Sequence, residues 1–181
     1  MPDLPFPRRV MLSDAAAQTV FSIGYVGALI GAATGLVYIA HKRGLTANLQ
    51  LLYFWLVFDA LIHVFCTSSC DALTLVEGPF VWLSLVGRTV NSSKGFFASV
   101  WQEYSYADSR WGVADAGIVS VELLTVVLTG PLAAYTAYLV QRNDLRYHFW
   151  LVLLCGAELY GDYVGIIFAH PDDFRSGMAY G

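Results

Sequence analysis

An all-α, polytopic bundle of transmembrane helices is the fold this sequence predicts, on three observations. Charged residues make up only 13% of the 181 residues while hydrophobic residues make up 57%, and soluble domains carry roughly 25% charged residues. The mean hydropathy is +0.56. Residues 15–40 run for twenty-six positions without Asp, Glu, Lys, Arg or His, where roughly 20 suffice to cross a bilayer.

The elements follow in order. Residues 1–14 read as an amino-terminal tail, and residues 15–181 as one domain, since no internal repeat, low-complexity tract or linker interrupts them. The first span, 15–40, stops at His41-Lys42-Arg43-Gly44. It is too long and too glycine-rich for a removed signal peptide, so it reads as a permanent anchor. Its glycines, Gly24, Gly27, Gly31 and Gly35, recur at spacings of three and four, which predicts close helix packing. A second apolar segment starts near Leu49 and continues through Phe65, a third covers about 117–140 and a fourth about 147–169. Between the second and third lies a polar stretch with Arg88, Asn91-Ser92-Ser93-Lys94 and Trp101-Gln102-Glu103-Tyr104. Lys42, Arg43, Arg142 and Arg146 sit in the two short connections, which the positive-inside rule assigns to the cytosol. The longer connection is then luminal, where Asn91-Ser92-Ser93 fits a glycosylation sequon.

Several function classes drop out. A net charge of −4 without a Lys/Arg cluster excludes nucleic-acid binding, which needs a basic face. Three cysteines give no disulfide framework, and Cys66 with Cys70 cannot close a tetrahedral zinc site. No metal and no cofactor is expected.

The informative residues are acids inside apolar helices. Asp59, Glu122, Glu158 and Asp162 fall within or at the edge of the spans, with no embedded Lys or Arg. A carboxylate at the bilayer centre costs roughly 2.5–3.5 kcal/mol even on lenient scales, so these side chains should face the bundle interior. Spacing agrees: Trp55, Asp59 and His63 recur every four residues, Glu122 and Thr125 are three apart, and Glu158 and Asp162 four apart. Three helix faces therefore converge on a polar pocket. One reading has the acids pair and hold the bundle together. The other has them work: a buried carboxyl that stays protonated is a general acid, and a second acid or a histidine takes a proton back. Aromatic residues, 15% of the chain, stabilise a cation formed in between. That combination suits moving a double bond in a lipophilic alkene.

The ordered motifs Trp101-Gln102-Glu103-Tyr104, Ala107-Asp108-Ser109-Arg110-Trp111, Asp115, Glu122-Leu123-Leu124-Thr125, Gly130-Pro131-Leu132 and Leu159-Tyr160-Gly161-Asp162 resemble those of the emopamil-binding protein family, the EXPERA domain, which includes the 3β-hydroxysteroid Δ8,Δ7-isomerase. The resemblance covers about Phe54 to the end. It implies a five-helix, multi-pass bundle of the endoplasmic reticulum membrane, with a sterol or sterol-like lipid as partner and a homodimer as one assembly. It implies a cholestenol-type Δ-isomerase in which an acid protonates the Δ8 alkene and a proton then leaves the neighbouring ring carbon. His63, Glu77 and Glu122 take the catalytic positions. Thr125, Trp101, Glu103, Tyr104, Asp108, Arg110, Asp115, Tyr160 and Asp162 take substrate-binding positions. Two other readings share the fold: a non-catalytic sterol-binding or trafficking protein, and an isomerase or cyclase of a non-sterol terpenoid.

The chain departs from the pattern twice. The family motif H-x-x-x-E-G-x-F places histidine and glutamate one turn apart, but here His63 and Glu77 are separated by 77 − 63 = 14 residues. On one continuous helix that separation is about 21 Å of rise, so the pair meets only if the chain between them folds back. The second departure is the end at Gly181, which leaves four of the five expected helices. An altered or truncated reading of the gene and a diverged lineage both account for these departures.

Overall fold

The computed structural model describes residues 8–63, 77–93, 96–105 and 108–167. Cys66, Cys70 and the extra residues between His63 and Glu77 lie outside them, as does the segment from residue 168 to Gly181. Among the described residues the chain is all-α, with no strand: α1 Arg8–Lys42, α2 Gln50–His63, α3 Glu77–Leu85, α4 Phe96–Ser105, α5 Ser109–Val113, α6 Ala116–Leu124, α7 Gly130–Gln141 and α8 Tyr147–Ile167.

Among the described residues two stretches are long and apolar enough to cross a membrane, Ser22–Lys42 and Ala116–Gln141. The apolar piece Ala47–His63 is shorter. Val20 and Ile23 of α1, Val127 between α6 and α7, and Phe149, Val152 and Leu159 of α8 are all exposed, an apolar surface larger than water tolerates. Hydroxyl groups within these helices bond to their own backbone: Thr34 donates to the Ile30 carbonyl at 2.8 Å, Thr136 to Leu132 at 2.8 Å and Thr129 to Thr125 at 2.9 Å. Such bonds satisfy the hydroxyl without water.

Residues 8–14 are helical and continuous with the apolar run from residue 15. One expectation is corrected: among the described residues the glycines of α1 make no close contact, since a Cβ built on Gly24, Gly27, Gly31 or Gly35 meets nothing within 4 Å. α1 instead buries Leu29, Ala33 and Ala40. Ala33 and Ala40 join a core with Tyr53, Leu56, Val57 and Ala60 of α2, Ala133, Ala137 and Val140 of α7, and Leu154 of α8. Spacings of three and four do repeat along α1, but alanine and leucine occupy the face that packs.

The same core brings Ala40, Leu45, Tyr53, Val140 and Tyr147 together, so the α1–α2 and α7–α8 turns share one end of the molecule. Lys42 and Arg43 of the first turn and Arg142 and Arg146 of the second therefore lie at that end. The second turn is tight, with Asn143 at φ 51 and the Asp144 carboxylate accepting from the Arg146 backbone N–H at 3.0 Å.

The long polar connection is ordered around a second core. Phe80, Val81, Val90, Trp101, Ile118 and Val126 form it, and four aromatic rings from three helices dominate. Trp101 and Trp111 stack at 4.7 Å between centroids. Phe80 lies 5.2 Å from Trp101 and 5.0 Å from Trp111, and Tyr104 meets both indoles edge-on at 5.6 and 5.2 Å. Gln102 pins the preceding loop, donating to the carbonyls of Val90 at 3.1 Å and Ser93 at 3.0 Å. Asn91 of the sequon packs so tightly on Gly112 that a Cβ there would lie 2.6 Å from its side-chain nitrogen. A side chain at position 112 would displace the Asn91 amide.

Candidate functional site

Glu122 and Thr125 mark a change in helix geometry. The helix α6 gives way at Thr125–Thr129 to π-helical turns, and α7 resumes at Gly130. Pro131 supplies the cause: its ring clashes with the carbonyl four residues back in an α-helix and it has no N–H to offer, so the turn before it widens. Insertions of this kind recur at functional sites. Glu122, on the last turn before the widening, is buried with 7% exposure. The Thr125 hydroxyl donates to the Glu122 carbonyl at 2.8 Å and lies 3.3 Å from its Oε2. The hydroxyl thus holds the carboxyl in one orientation.

Gly161 brings α8 against α6. A Cβ built on it would lie 3.7 Å from Val121 Cγ1, one residue from Glu122. Tyr160 and Asp162 on either side of Gly161 are exposed.

On α2, His63 Nε2 lies 3.1 Å from Asp59 Oδ1; on α8, Glu158 Oε1 is buried without a hydrogen-bond partner among the described residues. The groove of about 320 Å³ bounded by α1, α2 and α7 is apolar, lined by residues such as Leu36, Val57 and Ala137, and holds none of the candidate residues.

His63 closes α2 and Glu77 opens α3. The two ends of the interrupted motif thus stand on separate helices that pack against each other, and no single straight helix holds them 21 Å apart. The side chains of Glu77 and Glu103 lie outside what the structure describes.

The remaining candidates have structural tasks. Trp101 is 4% exposed inside the aromatic core, whereas Tyr104 is 56% exposed at its edge. Asp115 caps α6, accepting from the N–H of Gly117 at 2.9 Å and Ile118 at 3.4 Å. Asp108 caps α5 through the Arg110 N–H at 3.0 Å and pairs with the Arg110 guanidinium at 2.7 Å. Ala114, at φ 55, ends α5 in the left-handed region and turns the chain toward Asp115. Burial by itself would raise the pKa of Asp108, but the hydrogen bonds from Arg110 and its charge outweigh that and hold it below the usual carboxylate range. A depressed pKa contributes stability above the unfolded value, about 3.9, and loses it as pH falls through the folded value. The difference in melting temperature between wild type and Asp108→Ala should accordingly be full at neutral pH and shrink below about pH 4; thermal melts across that range measure it.

Phe80 and Trp111 are not among the site residues that the sequence suggests, although both lie in the matched motifs. Their signal is the aromatic at the end of Glu77-Gly78-Pro79-Phe80 and of Asp108-Ser109-Arg110-Trp111.

Residues 96–175, which hold Trp101, Asp108, Glu122, Gly161 and Asp162, match the family described as EXPERA (EXPanded EBP superfamily). The chain is 31% identical over 134 residues to a rice protein, Oryza sativa subsp. japonica, named "Probable 3-beta-hydroxysteroid-Delta(8),Delta(7)-isomerase"; the match covers 74% of this chain and 56% of that protein. It is 29% identical over 180 residues to the protein of the same name from Arabidopsis thaliana, covering 98% of this chain and 74% of the relative. A protoglabretal synthase of Citrus sinensis is 29% identical over 133 residues, with 72% and 57% covered. The chain thus spans little more than half the length of the rice and citrus relatives. The segment that carries Glu122, Trp101 and Trp111 thus matches the EXPERA family.

Proposed function

We propose that the protein is a multi-pass isomerase of the endoplasmic reticulum membrane that moves a ring double bond in a sterol-type lipid. The observation that carries this reading is Glu122: a buried carboxyl held by Thr125 where the helix widens, inside the segment that matches the family. The name borne by the rice and Arabidopsis relatives supports the choice of reaction.

The reaction needs no external reagent. An acid delivers a proton to one carbon of the Δ8 alkene, and the π electrons form the new C–H bond. The cation left on the other alkene carbon is relieved when the neighbouring ring carbon loses a proton to a base, giving the Δ7 alkene. Glu122, His63 and Glu77 form the proton-handling set. A dry, apolar surrounding serves this chemistry because water would capture the cation. Thr125, Trp101, Glu103, Tyr104, Asp108, Arg110, Asp115, Tyr160 and Asp162 shape and brace the substrate site, some of them through the caps and stacks described above.

The citrus relative, named for a protoglabretal synthase, favours one second reading: the same protonation and deprotonation applied to a non-sterol triterpenoid. Expression in a sterol-isomerase-deficient yeast strain, with sterols resolved by mass spectrometry, tests both. Conversion of accumulated Δ8 sterol to Δ7 sterol is expected. No conversion of the sterol, with rearrangement of a supplied triterpenoid, moves the assignment to the second reading. Binding of sterol without any product would overturn both and leave a lipid-binding protein.

A further inference from the structure

The groove bounded by α1, α2 and α7, which holds none of the candidate site residues, is graded along its length. Three of its lining residues carry polar side-chain atoms: Tyr53 near the start of α2, and Tyr138 and Gln141 at the end of α7. Each of the others is Ala, Val or Leu, out to Leu61 on α2 and Ala134 on α7. Tyr53 and Leu61 are 61 − 53 = 8 residues apart, about 12 Å along a helix. Ala134 and Tyr138 are exposed, so the groove is open along its flank. An apolar furrow of about 320 Å³ thus leads to one polar end.

That end is also cationic. It is the end shared by the α1–α2 and α7–α8 turns, which carry Lys42, Arg43, Arg142 and Arg146 against a single acid, Asp144. Asp144 is taken by Arg146 at 2.6 Å. Among the described residues Lys42, Arg43 and Arg142 have no carboxylate partner. Arg142 is fixed at the mouth of the groove: it follows Gln141, its guanidinium lies 5.3 Å from the centre of the Tyr138 ring, and one N–H donates to the Tyr138 hydroxyl. Most of its N–H donors stay open. Lys42 lies in the same way over Tyr38, at 5.4 Å.

These features select a ligand by exclusion. A sterol offers one uncharged hydroxyl, for which three unpaired cations have no use. A zwitterionic headgroup brings its own ammonium, which they repel. A soluble anion gains nothing from 12 Å of apolar furrow. An amphiphile with a hydrocarbon chain and a net negative head satisfies both parts: the chain replaces lipid-exposed void with dispersion contacts, and phosphate oxygens accept from the planar guanidinium and the ammonium. Basic pockets between membrane helices hold anionic headgroups on this principle.

We infer that the groove binds one anionic glycerophospholipid, an acyl chain lying between α2 and α7 and the phosphate resting at Lys42, Arg43 and Arg142. The site rests on the chain lying in a bilayer and is independent of the isomerase reading.

Native mass spectrometry of the full chain tests it, with the protein released from micelles that carry phosphatidylglycerol, phosphatidylcholine of the same acyl chains, or cholesterol. One phosphatidylglycerol is expected to stay bound per chain, favoured over phosphatidylcholine by about tenfold or more. Ala134→Trp, at an exposed lining position, should fill the furrow and abolish the retained lipid. Lys42→Gln and Arg142→Gln, both at exposed positions, should each cut the preference about fivefold, whereas Arg88→Gln, in the loop after α3, should leave it unchanged. A lipid-free melting temperature equal to wild type verifies that each variant is folded, and if Ala134→Trp is not, the two charge variants decide. Equal retention of the two phospholipids, a preference for cholesterol, or full phosphatidylglycerol binding by folded Ala134→Trp would each overturn the site. Failure of the Δ8 sterol assay would leave it standing.

Discussion

On the proposed isomerase reading, Glu122→Ala is expected to lower turnover of a Δ8 sterol by about 10²–10⁴-fold, the range in which a positioned general acid or base contributes. The variant is expected to stay folded and in the membrane. Both halves follow from where Glu122 sits. It is buried at the end of α6, and the Thr125 hydroxyl fixes both its carbonyl and its side chain. Removing the carboxyl would take away the proposed proton carrier, which a solvent molecule does not replace in apolar surroundings. The helix itself loses nothing, since alanine is the best helix former and the Thr125 hydroxyl keeps its 2.8 Å bond to the backbone carbonyl. Glu122→Gln should be impaired nearly as much, because it keeps the shape but cannot exchange a proton. Expression of each variant in a sterol-isomerase-deficient strain gives the answer: retained Δ8-to-Δ7 conversion at wild-type rate removes Glu122 from the mechanism.

Phe80→Ala should be the most destabilising single change in the long connection, at about 3–5 kcal/mol, the usual cost of emptying a buried phenylalanine site. Phe80 is 0% exposed. Its ring touches both Trp101 and Trp111, so its loss opens a void on the face of the stacked indoles. Such a void forfeits dispersion attraction in lipid as it does in water. For a chain of this size the melting temperature should fall by roughly 6–20 °C, measured by thermal unfolding in detergent. Phe80→Leu should recover much of it by filling part of the space. A melting point within a degree of wild type for Phe80→Ala would show that the aromatic core does not hold α3, α4 and α5 together.

The two predictions differ in how far sequence reasoning reaches them. Glu122 and Thr125 are legible because their meaning is local: two residues three apart on a helix share a face whatever the rest of the chain does. The same holds for Asp59 with His63, whose one-turn spacing yields the 3.1 Å contact. The apolar runs at 15–40 and 117–140 are legible by length alone, and both become long helices. Helix ends are less so. Residues 8–14 are helical, although the long uncharged run starts only at residue 15. Trp101 illustrates a different limit. Its motif marks it as important, but only the approach of Phe80, Tyr104 and Trp111 shows that it lies in the aromatic core.

By itself, then, the sequence determined the helical class, the long apolar spans, the acids that need an interior, and the family to which their order belongs. Each depends on composition or on spacing within one element, where backbone geometry leaves little freedom. Tertiary structure alone decided which faces meet: that among the described residues the glycines of α1 touch nothing while Ala33 and Ala40 pack, that Gly161 of α8 lies against Val121 beside Glu122, and that Phe80 of α3 meets Trp111 of α5. Those pairings join residues as many as 40 positions apart, 161 − 121. Periodicity fixes which side of a helix a residue occupies, but the partner across the gap is set by the packing of every other helix in the bundle.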